Sequence, residues 1–166
     1  MEYNLPSQIV KNLDFGTDAK TKVISGVEKL AKAVKSTLGA SGKCVIYEDS
    51  MGRPVITKDG VTVAESVVLH DPVENIGATL IKEASKNTVK EAGDGTTTAI
   101  VLAESLIKEV NKAAYKGATI REIKNGIDTG LSQATAILEN MSVKVKNSTL
   151  DHVSSIAVTM TTNLAA

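Results

Sequence analysis

Residues 91–106, "EAGDGTTTAIVLAESL", place Gly-Asp-Gly and three consecutive threonines immediately before an apolar run of helical character. A helix start needs one side-chain acceptor at its N-cap, and a single Asp, Ser or Thr supplies it. Here Asp94, Thr96, Thr97 and Thr98 crowd into five positions. Two readings fit. In the first, one of them is an ordinary cap and the rest is β-branched filler. In the second, Gly93 and Gly95 leave the main chain open to close approach, and the first-turn N–H groups and helix dipole attract an anion. Asp94 then offers the hard oxygen that Mg²⁺ accepts, and the threonine hydroxyls donate to phosphate oxygens.

Outward from this stretch, helical periodicity dominates. The run after the threonines carries Val101, Leu102, Leu106, Ile107 and Val110; it is apolar around most of its circumference, which predicts burial. Before it, a helix opens at Asp71-Pro72, cap and N1 proline, with Val73, Ile76, Leu80, Ile81 and Ala84 as its apolar stripe. An earlier helix carries Val23, Val27, Leu30, Val34 and Leu38, capped by Thr17 or Asp18 and ended by Gly39. A fourth, from Thr119, repeats Ile120, Ile123, Ile127, Leu131, Ala134, Leu138 and Met141. Between the first two lie "KCVIYED" and "PVITKDG", β-branched runs separated by the turn "SMGR", which predict a hairpin. After Met141 the pattern breaks, and a short helix is expected from about Thr149. The expected architecture is mainly α with one small β-hairpin.

Composition narrows the function classes. Nineteen basic and nineteen acidic residues cancel, so no electrostatic footprint for nucleic acid is expected. Aromatics are 2%, which makes the core aliphatic. A single cysteine excludes an internal disulfide framework. No apolar run is long enough for a membrane span, and "MEYNLPSQIV" lacks the features of a signal peptide. These features lead to the expectation of a cytoplasmic protein with no membrane partner.

Two further stretches share the phosphate-binding chemistry. "TLGASGK", residues 37–43, is either a glycine C-cap with a turn or a loop open to a ligand. "TKDG", residues 57–60, is either a hairpin-terminal turn or an exposed Lys-Asp pair that faces one. "GASGKC" is too short for a Walker loop and lacks the hydroxyl residue after its lysine. His70 and His152 lack metal-ligand spacing and are expected at the surface. Cys44, in a predicted strand, is expected to be a small buried hydrophobe.

Taken in order, "TLGASGK", "VITKDGVTVAESVVLHDPVENIGATLIKEASKNTVKEAGDGTTTAIVLAESLI" and "GIDTG" resemble the N-terminal part of the group I chaperonins, the GroEL family, from about Phe15 to Met141. The resemblance implies a chaperonin equatorial-domain-like helical bundle, incomplete here. Residues 1–141 would form the N-terminal half of the ATP-binding equatorial domain, and 142–166 the start of an intermediate domain. It implies an ATP-dependent chaperonin ATPase that assists protein folding, with ATP and Mg²⁺, and K⁺ as a further cation. By position, Asp94 would hold Mg²⁺, and Gly95, Thr96, Thr97 and Thr98 would surround the phosphates. Thr37, Leu38, Gly39 and Ala40 would line the other side of the nucleotide, Lys58 and Gly60 would lie near the terminal phosphate, and Asp59 would act catalytically by organising the attacking water.

The sequence departs from the family pattern at Ala40, where proline is usual, at Lys144 near the domain boundary, again in place of proline, and at Ala157, where glycine is usual. Family members run several times longer. The resemblance therefore implies that unfolded substrates and the co-chaperonin bind through regions outside these residues, and that a homo-oligomeric ring forms. It also leaves a non-enzymatic alternative, an assembly or interaction module that carries only the phosphate half of the site.

Overall fold

In the computed structural model, which describes residues 14–39, 41–144 and 146, two long helices cross at contact distance. Helix α1 spans Gly16–Lys35 and α3 spans Pro72–Ala92. A Cβ built on Gly26 of α1 would sit 1.8 Å from the Glu74 carbonyl oxygen, and one on Gly77 of α3 would sit 2.1 Å from that of Val23. Each helix thus presents a glycine to the other's backbone, and no larger residue fits either position. Polar contacts fix the register of the crossing. Ser25 donates to Glu74 at 2.8 Å, Lys29 pairs with the same carboxylate at 2.6 Å, and Lys22 reaches Asp71 at 3.3 Å.

The remaining elements are β1 (Val45–Glu48), β2 (Pro54–Thr57), α2 (Gly60–Ser66), α4 (Thr96–Tyr115) and α5 (Ile120–Met141). The strands form the expected antiparallel hairpin, with Val45 opposite Thr57 and Glu48 opposite Pro54. The core is aliphatic, as the composition requires. Val27, Leu30, Ala31 and Val34 of α1 meet Val63 and Ala64 of α2, Ala78 and Ile81 of α3, and Ile100 of α4. The chain divides into two compact units, Met1–Lys108 and Glu109–Ala166. The core belongs to the first. In the second, α5 is capped by Thr119 and Glu122 in a reciprocal capping box and buries none of its residues.

Several sequence expectations need correction. Neither Thr17 nor Asp18 caps α1: the N-cap is Phe15, which makes no side-chain cap bond, and Asp18 sits in the first turn. The helix ends at Lys35, and Gly39 follows in a left-handed turn (φ 82°). On α3 the buried face is Gly77, Ala78, Ile81 and Ser85, while Ile76 and Leu80 are exposed. Small residues line this seam because close helix approach leaves no room for larger ones. Helix α4 is far less buried than its hydropathy predicts, with only Thr96, Ile100 and Glu104 inside. Cys44 lies outside β1 and is exposed. His70 is exposed as expected. Ala40, His152, Ala157 and the short helix expected from Thr149 lie outside the described residues. Among the described residues, no helix is long and apolar enough to cross a membrane.

Candidate functional site

Three separate segments meet at one glycine. A Cβ on Gly60 would lie 2.2 Å from the Thr97 hydroxyl oxygen and 3.1 Å from that of Thr37. Thr37 belongs to the turn after α1, Gly60 opens α2, and Thr97 is in the first turn of α4. The motifs "TLG", "KDG" and "GDGTTT" therefore converge within the first compact unit.

Each segment is held by its own hydrogen bonds. The Thr37 N–H and hydroxyl both donate to the Val34 carbonyl, at 3.0 and 2.8 Å, and Lys43 N–H reaches back to the Ser36 carbonyl at 2.7 Å. The turn is thus fastened to the end of α1, with Leu38 and Gly39 exposed beyond it.

The second segment is organised by Asp59. The sequence suggested a turn here, but Asp59 is the N-cap of α2. One carboxylate oxygen accepts from Val61 N–H at 3.2 Å, and the other accepts from the Thr62 N–H at 2.9 Å and from the Thr62 hydroxyl. Burial raises the pKa of this carboxyl, but the hydrogen bonds from Thr62 and Val61 outweigh it and hold the net value below the ordinary carboxylate range. A carboxylate so engaged is a weak proton acceptor and a fixed negative charge. Lys58 beside it is exposed.

In the third segment, Gly93 ends α3 in a left-handed conformation (φ 80°), and Gly95 adopts another (φ 93°). Between them Asp94 is exposed; one of its oxygens accepts from Gly95 N–H at 2.6 Å. Ser85 of α3 donates to the Thr96 carbonyl at 3.1 Å, and both residues are buried. This bond pins the start of α4 to the body of α3. Successive helical residues turn by about 100°, so the three threonines do not share one direction. Thr96 is buried, Thr97 is half-buried against Gly60, and Thr98 is exposed. No acidic residue stands in the first turn of α4. Its N-terminal N–H groups and dipole are thus set against no negative side chain of their own turn.

Of the site residues named from sequence, the structure brings Thr37, Gly60 and Thr97 into contact range. It places Leu38, Gly39, Lys58, Asp59, Asp94, Gly95, Thr96 and Thr98 on the flanks of that point by chain adjacency. Ala40 is outside the described residues. Sequence reasoning missed Thr62, Ser85 and the pair Lys35–Glu104. The first was legible as a hydroxyl three residues after a cap aspartate. The last was signalled by an acidic residue four positions from Ile100, inside an apolar run.

The family model described as the TCP-1/cpn60 chaperonin family matches residues 30–165. That range is well over half of the chain and includes all three converging segments.

Proposed function

Because the chain belongs to the TCP-1/cpn60 chaperonin family, we propose that the ground around Gly60 receives the phosphates of ATP together with Mg²⁺. We further propose that the chain serves ATP-driven assistance of protein folding. The observation that carries this reading is the convergence of Thr37 and Thr97 on a residue with no side chain, where a Cβ would collide with the Thr97 hydroxyl oxygen and crowd that of Thr37. The Thr97 hydroxyl, beside a helix N-terminus free of acidic residues in its first turn, suits a polyanion, while the Thr37 hydroxyl, whose proton goes to the Val34 carbonyl, marks the opposite wall.

The residues present fit the metal as well. Asp94 is exposed, and its second oxygen meets no hydrogen-bond donor among the described residues; a hard anionic oxygen of this kind is what Mg²⁺ takes alongside water and phosphate. Bound there, Mg²⁺ would neutralise phosphate charge and favour phosphoanhydride cleavage. The protein's own part is positional. Gly93 and Gly95 would keep the main chain approachable, Thr97 would donate, and Lys58 would add positive charge, with the turn at Thr37 as the facing wall. Asp59, which already accepts three hydrogen bonds and keeps room on Oδ1 for another, would orient water and cations and is poorly suited to abstract a proton. Residues 1–141 would then contribute to an equatorial ATP-binding domain, with the intermediate domain beginning at 142. Oligomeric rings are general in the family; unfolded proteins and a co-chaperonin would be this protein's partners.

Phosphate recognition makes a graded forecast. With Mg²⁺ present, affinity should fall in the order ATP, ADP, AMP, each step by roughly tenfold, as measured by displacement of a fluorescent nucleotide. Equal affinity for all three, or for adenosine, would remove the phosphate assignment. A second reading, a non-catalytic assembly module, draws on α5, which buries none of its residues. It predicts no nucleotide binding by the folded chain.

A further inference from the structure

The strongest unassigned feature is a buried carboxylate behind the site. Glu104 of α4 has a side chain only 5% exposed, and it is met by Lys35 at 2.6 Å and by Lys108 at 2.8 Å. Lys108 also reaches Glu28 at 3.3 Å. A buried ion pair is weak grounds for stability, because desolvation offsets much of the attraction and well-packed apolar replacements often do as well. What such a pair fixes is geometry.

Its location gives that geometry a purpose. Lys35 is the last residue of α1, two before Thr37, and the turn carrying Thr37 is fastened to α1 through Val34 and Ser36. Glu104 stands seven residues, about two helical turns, beyond Thr97 and so lies on the same face of α4. Buried Ile100 lies between them in sequence. The start of α4 is itself pinned to α3 by the Ser85 hydroxyl. Two stiff bodies, the end of α1 with its turn and α4 with its first turn, thus share core packing through Ile100 and the Lys108–Glu28 contact, and the Lys35–Glu104 pair is the ion pair nearest the Thr37 turn. We propose that Lys35 and Glu104 are positioning residues that set the approach of Thr37 to Thr97 across Gly60. This rests on the nucleotide reading only for its consequence for ATP.

The test is made on the full 166-residue chain with Cys44→Ser removing its single cysteine. Thr37→Cys and Thr97→Cys then report their approach by the rate of disulfide formation with diamide. Adding Lys35→Met with Glu104→Leu should slow that reaction at least fivefold at little change in melting temperature. Lys35→Arg, which keeps the charge, and Lys108→Met, which leaves the Lys35 contact, should each stay within twofold of the parent rate. An apolar double variant that folds and crosslinks at the parent rate overturns the proposal. If that double variant does not fold, Glu104→Asp serves instead: its shorter reach should also slow the reaction, and an unchanged rate again overturns the proposal. In chains with Thr37 and Thr97 intact, the apolar pair should weaken Mg-ATP binding about tenfold. Slowed crosslinking in a chain whose parent binds no nucleotide would support the positioning role and remove the nucleotide reading alone.

Discussion

Asp59 is the N-cap of α2 and, in the proposed site, also the carboxylate that would orient water and cations. As N-cap it satisfies the first-turn N–H groups of α2, and truncation to alanine should cost about 0.5–2 kcal/mol of stability in urea titration. Asparagine caps nearly as well. Asp59→Asn should therefore hold stability within about 0.5 kcal/mol while removing the charge, which separates the two roles; an equal loss in both variants would contradict the capping account. Acid sensitivity follows from Asp59 and Glu104 together. Burial raises the Glu104 pKa, but its hydrogen bonds and ion pairs with Lys108 and Lys35 outweigh that, so its folded value lies below the ordinary 4.5. For Asp59 the folded value lies below 3.8. A depressed folded pKa gives a contribution complete above the unfolded value and lost as pH falls through the folded one. Stability should thus decline on acidification below about pH 4.5, and Glu104→Gln should flatten that decline. A Glu104→Gln curve parallel to the parent's would count against the pairing.

At the scale of elements, the α1–α3 crossing and the exposed glycines of α5 set two opposing effects against each other. Alanine is preferred to glycine in a helix by roughly 0.5–1 kcal/mol. At Gly126 and Gly130 of α5 nothing lies within 4 Å of an added Cβ, so Gly126→Ala should gain about that amount, read from helix content during thermal melting. At Gly77 the same methyl would meet the Val23 carbonyl at 2.1 Å. Overpacking of this kind costs about 1–3 kcal/mol, so Gly77→Ala should destabilise despite the propensity gain. A stabilised Gly77→Ala would mean the helices separate more easily than this geometry implies.

These same elements indicate what a sequence carries locally. The starts of α3 and α5 were legible because Asp71-Pro72 and Thr119 with Glu122 are local signals that the structure uses as caps. The hairpin was legible for the same reason. Helix α2 was not, since seven residues, "GVTVAES", are too few for helical periodicity to stand out. The burial of α4 was overestimated because hydropathy measures what a face prefers, while exposure depends on what lies against it: Leu102 is 60% exposed despite its type. The motif positions of the site were also visible in sequence. Their meeting was implied by the family resemblance and not by any local pattern, and the contact at Gly60 depends on the placement of α1, α2 and α4 around residues far apart in the chain.

Over the whole molecule, apolar side chains remain widely exposed, among them Ile120, Leu131, Leu138 and Met141 of α5 and Ile46 and Ile56 of the hairpin. Exposed apolar surface on this scale favours association. The purified chain should bind a hydrophobic dye and elute from size exclusion ahead of its 17.4 kDa monomer position. A sharp monomer peak without dye fluorescence would contradict this. Family membership and the convergence at Gly60 lead to one central claim, that Thr37, Gly60, Asp94 and Thr97 form a preformed seat for Mg-ATP.

Calorimetric titration of the folded chain with ATP, with and without Mg²⁺ and beside Asp94→Ala, tests that claim most directly. The account predicts saturable binding that requires Mg²⁺ and is weakened at least tenfold by Asp94→Ala, with the variant's circular dichroism unchanged. Absence of binding by a chain with native helix content, or binding indifferent to both Mg²⁺ and Asp94, would contradict it.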